Sequence, residues 1–149
     1  MIKAIHFDPS TGDTTRVTLP TNSRDRLNML HKLCNCDTID FSHLGMHDIG
    51  FYCDDEGLLK DDTKPSIIWM DKDDNIKHMI MGPVVFVHAH ADDKGDCVGL
   101  NNIQDHYIHF MTVAEIRHKR FDAPMYALVP TPSEFFDGSS RVNLSHGGA

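Results

Sequence analysis

Apolar and polar positions along this chain follow the period of strands more often than that of helices, and the clearest run is Val84-Val85-Phe86-Val87. Four consecutive β-branched or aromatic residues need cover on both faces, which predicts a central strand. Pro83 lacks an amide hydrogen and suits the start of that strand, while Asp92, Asp93 and Gly95 supply turn chemistry after it. Val98-Gly99-Leu100 then reads as a shorter returning strand. Upstream, Ile2 to Phe7 and Thr14 to Leu19 flank the turn Asp8-Pro9-Ser10-Thr11-Gly12-Asp13 and predict an opening hairpin that Pro20 ends. Thr38 to Phe41 and Ile49 to Cys53 are short strand segments, and Ile76 to Met81 leads into the central strand. Ile67-Ile68-Trp69-Met70 has no clear period and fits either a strand or a wall of the core, with Trp69 a core residue.

Two segments carry helix signals. Leu27, Leu30, Leu33, Cys34 and Met29 recur at spacings of three and four behind a Thr21 or Asn22 cap, with Asp25 in the first turn. This predicts an amphipathic helix with one face on the sheet. Later, Tyr107-Ile108-His109-Phe110 alternates like an edge strand. Thr112 follows as a cap, Glu115 closes a capping box, Met111 is placed to staple onto Ile116, and the last turn holds Arg117, His118, Lys119 and Arg120. Prolines, serines and glycines accumulate towards the end of the chain. The pattern as a whole predicts one α+β domain over residues 1–129, with a mostly antiparallel sheet and one or two packed helices. Residues 130–149 are expected to form a flexible tail, or one ordered by a partner.

Composition changes this picture little. The 149 residues are 40% hydrophobic and 24% charged, ordinary values for one globular domain. No apolar run is long enough to span a membrane, and the amino terminus lacks a signal peptide's apolar stretch, so the expected location is the cytoplasm, with no membrane partner. A net charge of -8 disfavours a nucleic-acid polymer as partner, because phosphate backbones are bound by neutralising cations. Eleven histidines make the charge sensitive to pH between about 5 and 7. In a reducing compartment Cys34, Cys36, Cys53 and Cys97 are expected to be free thiols.

Candidate chemistry gathers in three places. Arg117, His118, Lys119 and Arg120 are the leading anion site, although cations in a last helical turn are also favoured by the helix dipole. Arginine there would hold a phosphate, and Tyr107 or Phe110 would stack on a base. His88 and His90 at the end of the central strand join this set, and period two places both on one face. Cys34 and Cys36 with His43 and His47, and Cys53 in reserve, invite a zinc site, but their spacing is shorter than zinc motifs use, so buried thiols are preferred and no metal or cofactor is assigned. There is no Gly-x-Ser-x-Gly elbow and no glycine-rich phosphate loop, and the paired carboxylates Asp92 and Asp93 lie in a turn. No catalytic residue is assigned.

Two resemblances bear on function. His88-Ala89-His90-Ala91-Asp92-Asp93 resembles the metal-binding signature of the metallo-β-lactamase superfamily, although Asp93 stands where that pattern has a further histidine, and that fold resembles a four-layer sandwich needing more chain than this. It implies, as an alternative, a metal-dependent hydrolase using His88, His90, Asp92 and Asp93. More of the chain is similar to a family of domains of unknown function, family 3846, of small phage, plasmid and bacterial proteins. The similar residues are Cys53-Asp54-Asp55-Glu56-Gly57-Leu58-Leu59, Met81-Gly82-Pro83-Val84-Val85-Phe86-Val87 and Asp92-Asp93-Lys94-Gly95-Asp96-Cys97-Val98-Gly99-Leu100. His88 departs from that pattern, which has a small residue there, and the carboxy-terminal extension is longer. The resemblance implies an accessory protein of a mobile element with no catalytic residues to transfer. The expected function is a non-enzymatic binding protein, an oligomer in the host cytoplasm, that counters host defence by sequestering a small anionic signal of nucleotide type. A direct protein inhibitor acting through its acidic surface is the third reading.

Overall fold

The computed structural model describes residues 1–57, 63–73, 75–116 and 125–130. Its first sheet has five strands, and every pairing in it is antiparallel. The hairpin β1 (Ile2–Asp8) and β2 (Asp13–Leu19) forms one side. The hairpin β3 (Ile39–His43) and β4 (Ile49–Asp54) forms the other. Strand β7 (Val84–His88) lies between β1 and β4, giving the order β2-β1-β7-β4-β3. Val84, Val85, Phe86 and Val87 are all buried, so β7 is the two-sided central strand that its composition predicts.

A second sheet in the order β6-β5-β9-β8 contains β5 (Pro65–Met70), β6 (Ile76–Met81), β8 (Thr112–Ile116) and β9 (Met125–Val129). Its pairings are antiparallel except β5 with β9, which run parallel. The structure is therefore an α+β fold with mostly antiparallel sheets. One core packs the odd-numbered residues Ile5 and Phe7 of β1 and Phe51 and Cys53 of β4, with Val84 and Phe86 of β7, against Ile67 and Leu128 of the second sheet. The opposite face of the first sheet offers Ile2, Ala4, Val85 and Val87 to helix α1 (Ser23–Leu33).

Helix α1 starts where Asn22 caps the backbone N–H groups of Arg24 and Asp25, each at 3.0 Å. Leu30 and Cys34 are buried against the sheet, Met29 and Leu33 only partly, and Leu27 faces solvent, so the buried stripe is narrower than the apolar spacing predicts. Helix α2 (Asn102–Phe110) replaces the edge strand expected at Tyr107–Phe110. Its start is a capping box, in which Asn101 Oδ1 accepts the Gln104 N–H at 2.8 Å and Gln104 Oε1 accepts the Asn101 N–H at 3.0 Å. Gln104 and Ile108, one turn apart, are its buried residues. Arg16 on β2 clamps Asp105 of α2 with two hydrogen bonds, at 2.9 and 3.0 Å.

The helix expected from Thr112 onward is instead β8, paired with β9 from Thr112↔Val129 to Ile116↔Met125. Thr112, Val113 and Ile116 are β-branched, and a sheet partner outweighs a local capping pattern. No returning strand forms at Val98–Leu100; a single bridge, Ala91↔Cys97, closes the loop after β7. Residues 117–120, and all of the expected tail except Pro130, lie outside the described residues. Among the described residues no helix is long and apolar enough to cross a membrane.

Candidate ligand pocket

The register of β3 and β4 sets Phe41 opposite Tyr52 and His43 opposite Gly50. The Phe41 and Tyr52 rings meet with centroids 5.1 Å apart, on the α1 side of the sheet. Phe41 lies over Gly50, where any Cβ would collide with the ring. The bare glycine is what lets an aromatic ring lie across the strand pair. Helix α1 contributes Arg26, half-buried, whose Nη1 donates to the carbonyls of Pro20 and Thr21 at 3.3 and 2.9 Å. Nε and Nη2 lie outside those two bonds. With Val87, His90, Cys97 and Val98, these side chains line a cavity of about 170 Å³.

The loop that closes the cavity is held by its own hydrogen bonds. Asp92 Oδ1 accepts the N–H groups of Lys94 and Asp96, both at 2.9 Å, and Gly95 takes the positive φ of 81° that the turn requires. The Tyr52 phenol is pushed towards its neutral form, first by burial and then by Cys97, with Arg26 opposing. The pocket therefore offers two aromatic faces, a neutral phenol and a guanidinium. A planar group would stack on the rings, and an anionic substituent would turn to the arginine.

The residues singled out from sequence are distributed over several places. His88 and His90 lie with ring centroids 6.2 Å apart at the strand end but take different partners. The His88 imidazole Nδ1 meets the Gln104 amide of α2, 3.1 Å from Oε1 and 2.8 Å from Nε2, whereas His90 turns to Asp48, with Nε2 3.4 Å from Oδ1. β7 ends at His88, and Ala89 and His90 form a bend. Both histidines line the pocket. Tyr107 packs against His47 at 4.5 Å and its hydroxyl donates to the Met46 sulfur. Phe110 stacks on His106 along α2, away from the pocket lining. Arg117, His118, Lys119 and Arg120 lie outside the described residues.

Among the described residues no group of three or more His, Cys, Asp or Glu side chains is placed to hold a metal ion. Asp92 is engaged in its own turn, and Cys34 donates to the Tyr52 carbonyl at 3.6 Å. Burial pushes the Cys34 thiol up, and pushes Cys53 up to about 12, so both are unreactive thiols; Cys97 is exposed. A larger cleft of about 1010 Å³ lies beyond the end of α1, with His6, Asp8, Lys32, Asp54 and Lys64 in its wall. Its mixed charges and lack of aromatic lining favour no single ligand chemistry, and its His6 ring is already bonded to the Leu33 carbonyl at 2.8 Å.

Residues 2–112 match the family model described as "Domain of unknown function (DUF3846)". The chain belongs to this family. The DUF3846 match runs from β1 through α2 to the first residue of β8, so it includes every strand of the first sheet and every residue lining the pocket. Strand β9 lies beyond it. Comparisons with curated proteins and with solved structures return no match.

Sequence reading missed Arg26, Phe41 and Tyr52 as site residues. They sit 11 to 26 residues apart on a helix and two strands, and only the strand register brings the rings together. It also missed Gln104, for which Asn101-x-x-Gln104 was a usable capping-box signal.

Proposed function

We propose that this protein is a non-enzymatic binding module that takes a small planar anion of nucleotide type into the pocket beside Arg26. The observation that supports this reading is the Phe41–Tyr52 ring pair, 5.1 Å apart, lining the same cavity as an arginine. At about 170 Å³ the cavity is smaller than the roughly 300–1,000 Å³ of sites that engulf drug-sized ligands. It accepts one ring, with the charged end held at the rim. In a phage or other mobile element, such a module would counter host defence by sequestering a nucleotide signal without altering it.

The test is native mass spectrometry of protein purified from cells carrying nucleotide-signalling defences, followed by calorimetric titration of mononucleotides and cyclic oligonucleotides. The expected result is an intact small molecule released on unfolding. Phe41→Ala is expected to weaken its binding roughly fivefold to a hundredfold, the loss of about 1–3 kcal/mol from one stacked base. Arg26→Lys is expected to weaken phosphorylated ligands more than the bare nucleoside. Undiminished affinity in both variants, or a ligand released chemically changed, would rule the reading out.

A further inference from the structure

The middle of β5 and of β9 is buried on both faces, but the described elements account for the cover on only one. Ile67 and Trp69 of β5 and Leu128 of β9 turn to the core between the sheets. Period two points Ile68, Ala127 and Val129 the other way. These three are 1%, 0% and 2% exposed, and they belong neither to that core nor to the one under α1. The first sheet and α2 pack on the Ile67 face, and α1 lies beyond the first sheet, so among the described residues no helix or strand lies over the outer face of the second sheet. An antiparallel face left to water alternates to polar residues, whereas this one presents apolar residues and is dry.

Three stretches longer than one residue lie outside the described residues: 58–62, 117–124 and 131–149. The first is tied at its base, where Thr63 Oγ1 donates to the Gly57 carbonyl at 2.7 Å, so it leaves and returns at one corner. The second leaves from Ile116 and returns at Met125, which pair across β8 and β9, and it carries Arg117, Lys119 and Arg120, charges that an apolar face would have to desolvate. The third is placed differently. Strand β9 runs parallel to β5 with Leu128 beside Ile67, so the chain leaves Val129 alongside Ile68, and Pro130 at that exit is itself buried. Residues 131–149 reach about 28 Å even if wound as a helix and about 60 Å if extended, against roughly 14 Å across four strands. They include the apolar side chains of Phe135, Phe136, Val142 and Leu144.

We infer that the outer face of the second sheet is a docking surface for this chain's own residues 131–149, with Phe135 and Phe136 as the apolar cover over Ile68, Ala127 and Val129. The segment starts beside the face it covers, is long enough to cross it, and brings the apolar side chains that the face requires. Strand β9 lies between β5 and β8 in the sheet, and the family match stops at residue 112, so β9 and its cover are both built by the part of the chain beyond that match. This inference stands independently of the nucleotide reading, because no residue of the second sheet lines the ligand pocket.

Two measurements on the full chain test it. Limited trypsin digestion reads Arg141, the one trypsin site in residues 131–149. Cleavage there in the native protein is expected to be about tenfold or more slower than in a synthetic peptide of residues 131–149, and equally slow at every protein concentration. In the double variant Phe135→Ser with Phe136→Ser, amide hydrogen exchange is expected to quicken about tenfold or more in β5 and β9 and to stay at parent rates in β1, β4 and β7, because losing the cover opens the second sheet first. The digestion uses the parent protein and so decides the matter even where the double variant fails to fold. Cleavage as fast as in the peptide, or parent exchange rates throughout a folded double variant, would overturn the inference. Protection that grows with protein concentration would overturn it as well, by assigning the cover to a second copy of the chain.

Discussion

The two faces of the five-stranded sheet are made by alternate residues of the same strands, yet they are finished differently. Towards the second sheet, Ile5, Phe7, Phe51, Val84 and Phe86 are fully buried. Towards α1, Val85 and Val87 are buried, but on the β3 side cover runs out, leaving Tyr52 half-buried and Phe41 37% exposed. Geometry accounts for the difference. A helix about 10 Å across covers roughly two strand spacings of about 4.8 Å, and α1 is the single helix on that face among the described residues. The four-stranded second sheet covers most of one face and makes a dry core, whereas a single helix leaves an open floor on the other. The candidate pocket lies on that floor.

Phenylalanine truncation tests this contrast most strongly. Phe86→Ala, between the sheets, is expected to cost about 3–5 kcal/mol in urea unfolding. Phe41→Ala on the open face is expected to cost less than about 1.5 kcal/mol, because much of the ring already meets water. Equal costs would show that the open face is covered in solution. Gln104→Ala, which leaves the His47 and Asp48 carbonyls and the Asn101 N–H without that partner, is expected to lose about 1–3 kcal/mol.

Thiol labelling sharpens the comparison by face. Cys53 belongs to the core between the sheets and Cys34 and Cys36 to the core under α1, while Cys97 is exposed. In the native protein Cys97 alone is expected to react promptly. Under mild urea, Cys34 and Cys36 are expected to label before Cys53, since the thinner cover opens first; mass mapping of the labelled peptides reads the order. The smallest expected effect belongs to the Arg16–Asp105 clamp. Its hydrogen bonds hold the Asp105 carboxyl below its ordinary 3.8, so its contribution is present above that value and is lost as pH falls through the folded value. Arg16→Ala is expected to flatten that acid-side slope slightly, because the pair is exposed.

Most strands of the first sheet could be read from sequence because β-branched and aromatic residues, punctuated by Pro9, Gly12, Pro20 and Pro83, carry a local period. The region from Asn101 to Ile116 was misread in both halves. Tyr107-Ile108-His109-Phe110 alternates like a strand, yet the capping box of Asn101 and Gln104 and the burial of Gln104 and Ile108 make it a helix. Thr112 and Glu115 imitate a cap, yet pairing with β9 makes them a strand, a contact that no local pattern shows. The site was legible only at His88 and His90. A helix position such as Arg26 and a cross-strand pair such as Phe41 and Tyr52 become neighbours only through register.

The parallel pairing of β5 with β9 has a consequence for the order in which the chain can assemble. Once residues 1–88 have left the ribosome, all five strands of the first sheet are available; β5 at that moment has β6 as its neighbour and must wait until Leu128 emerges to gain the other. Phe51 and Phe86 would therefore spend that interval with Ile67 and Trp69 as neighbours but without Leu128 in their core. A nascent chain arrested at residue 112 keeps its central strand and its pocket residues while lacking β9, so the last of the described strands to be made is the one that completes the core with Leu128.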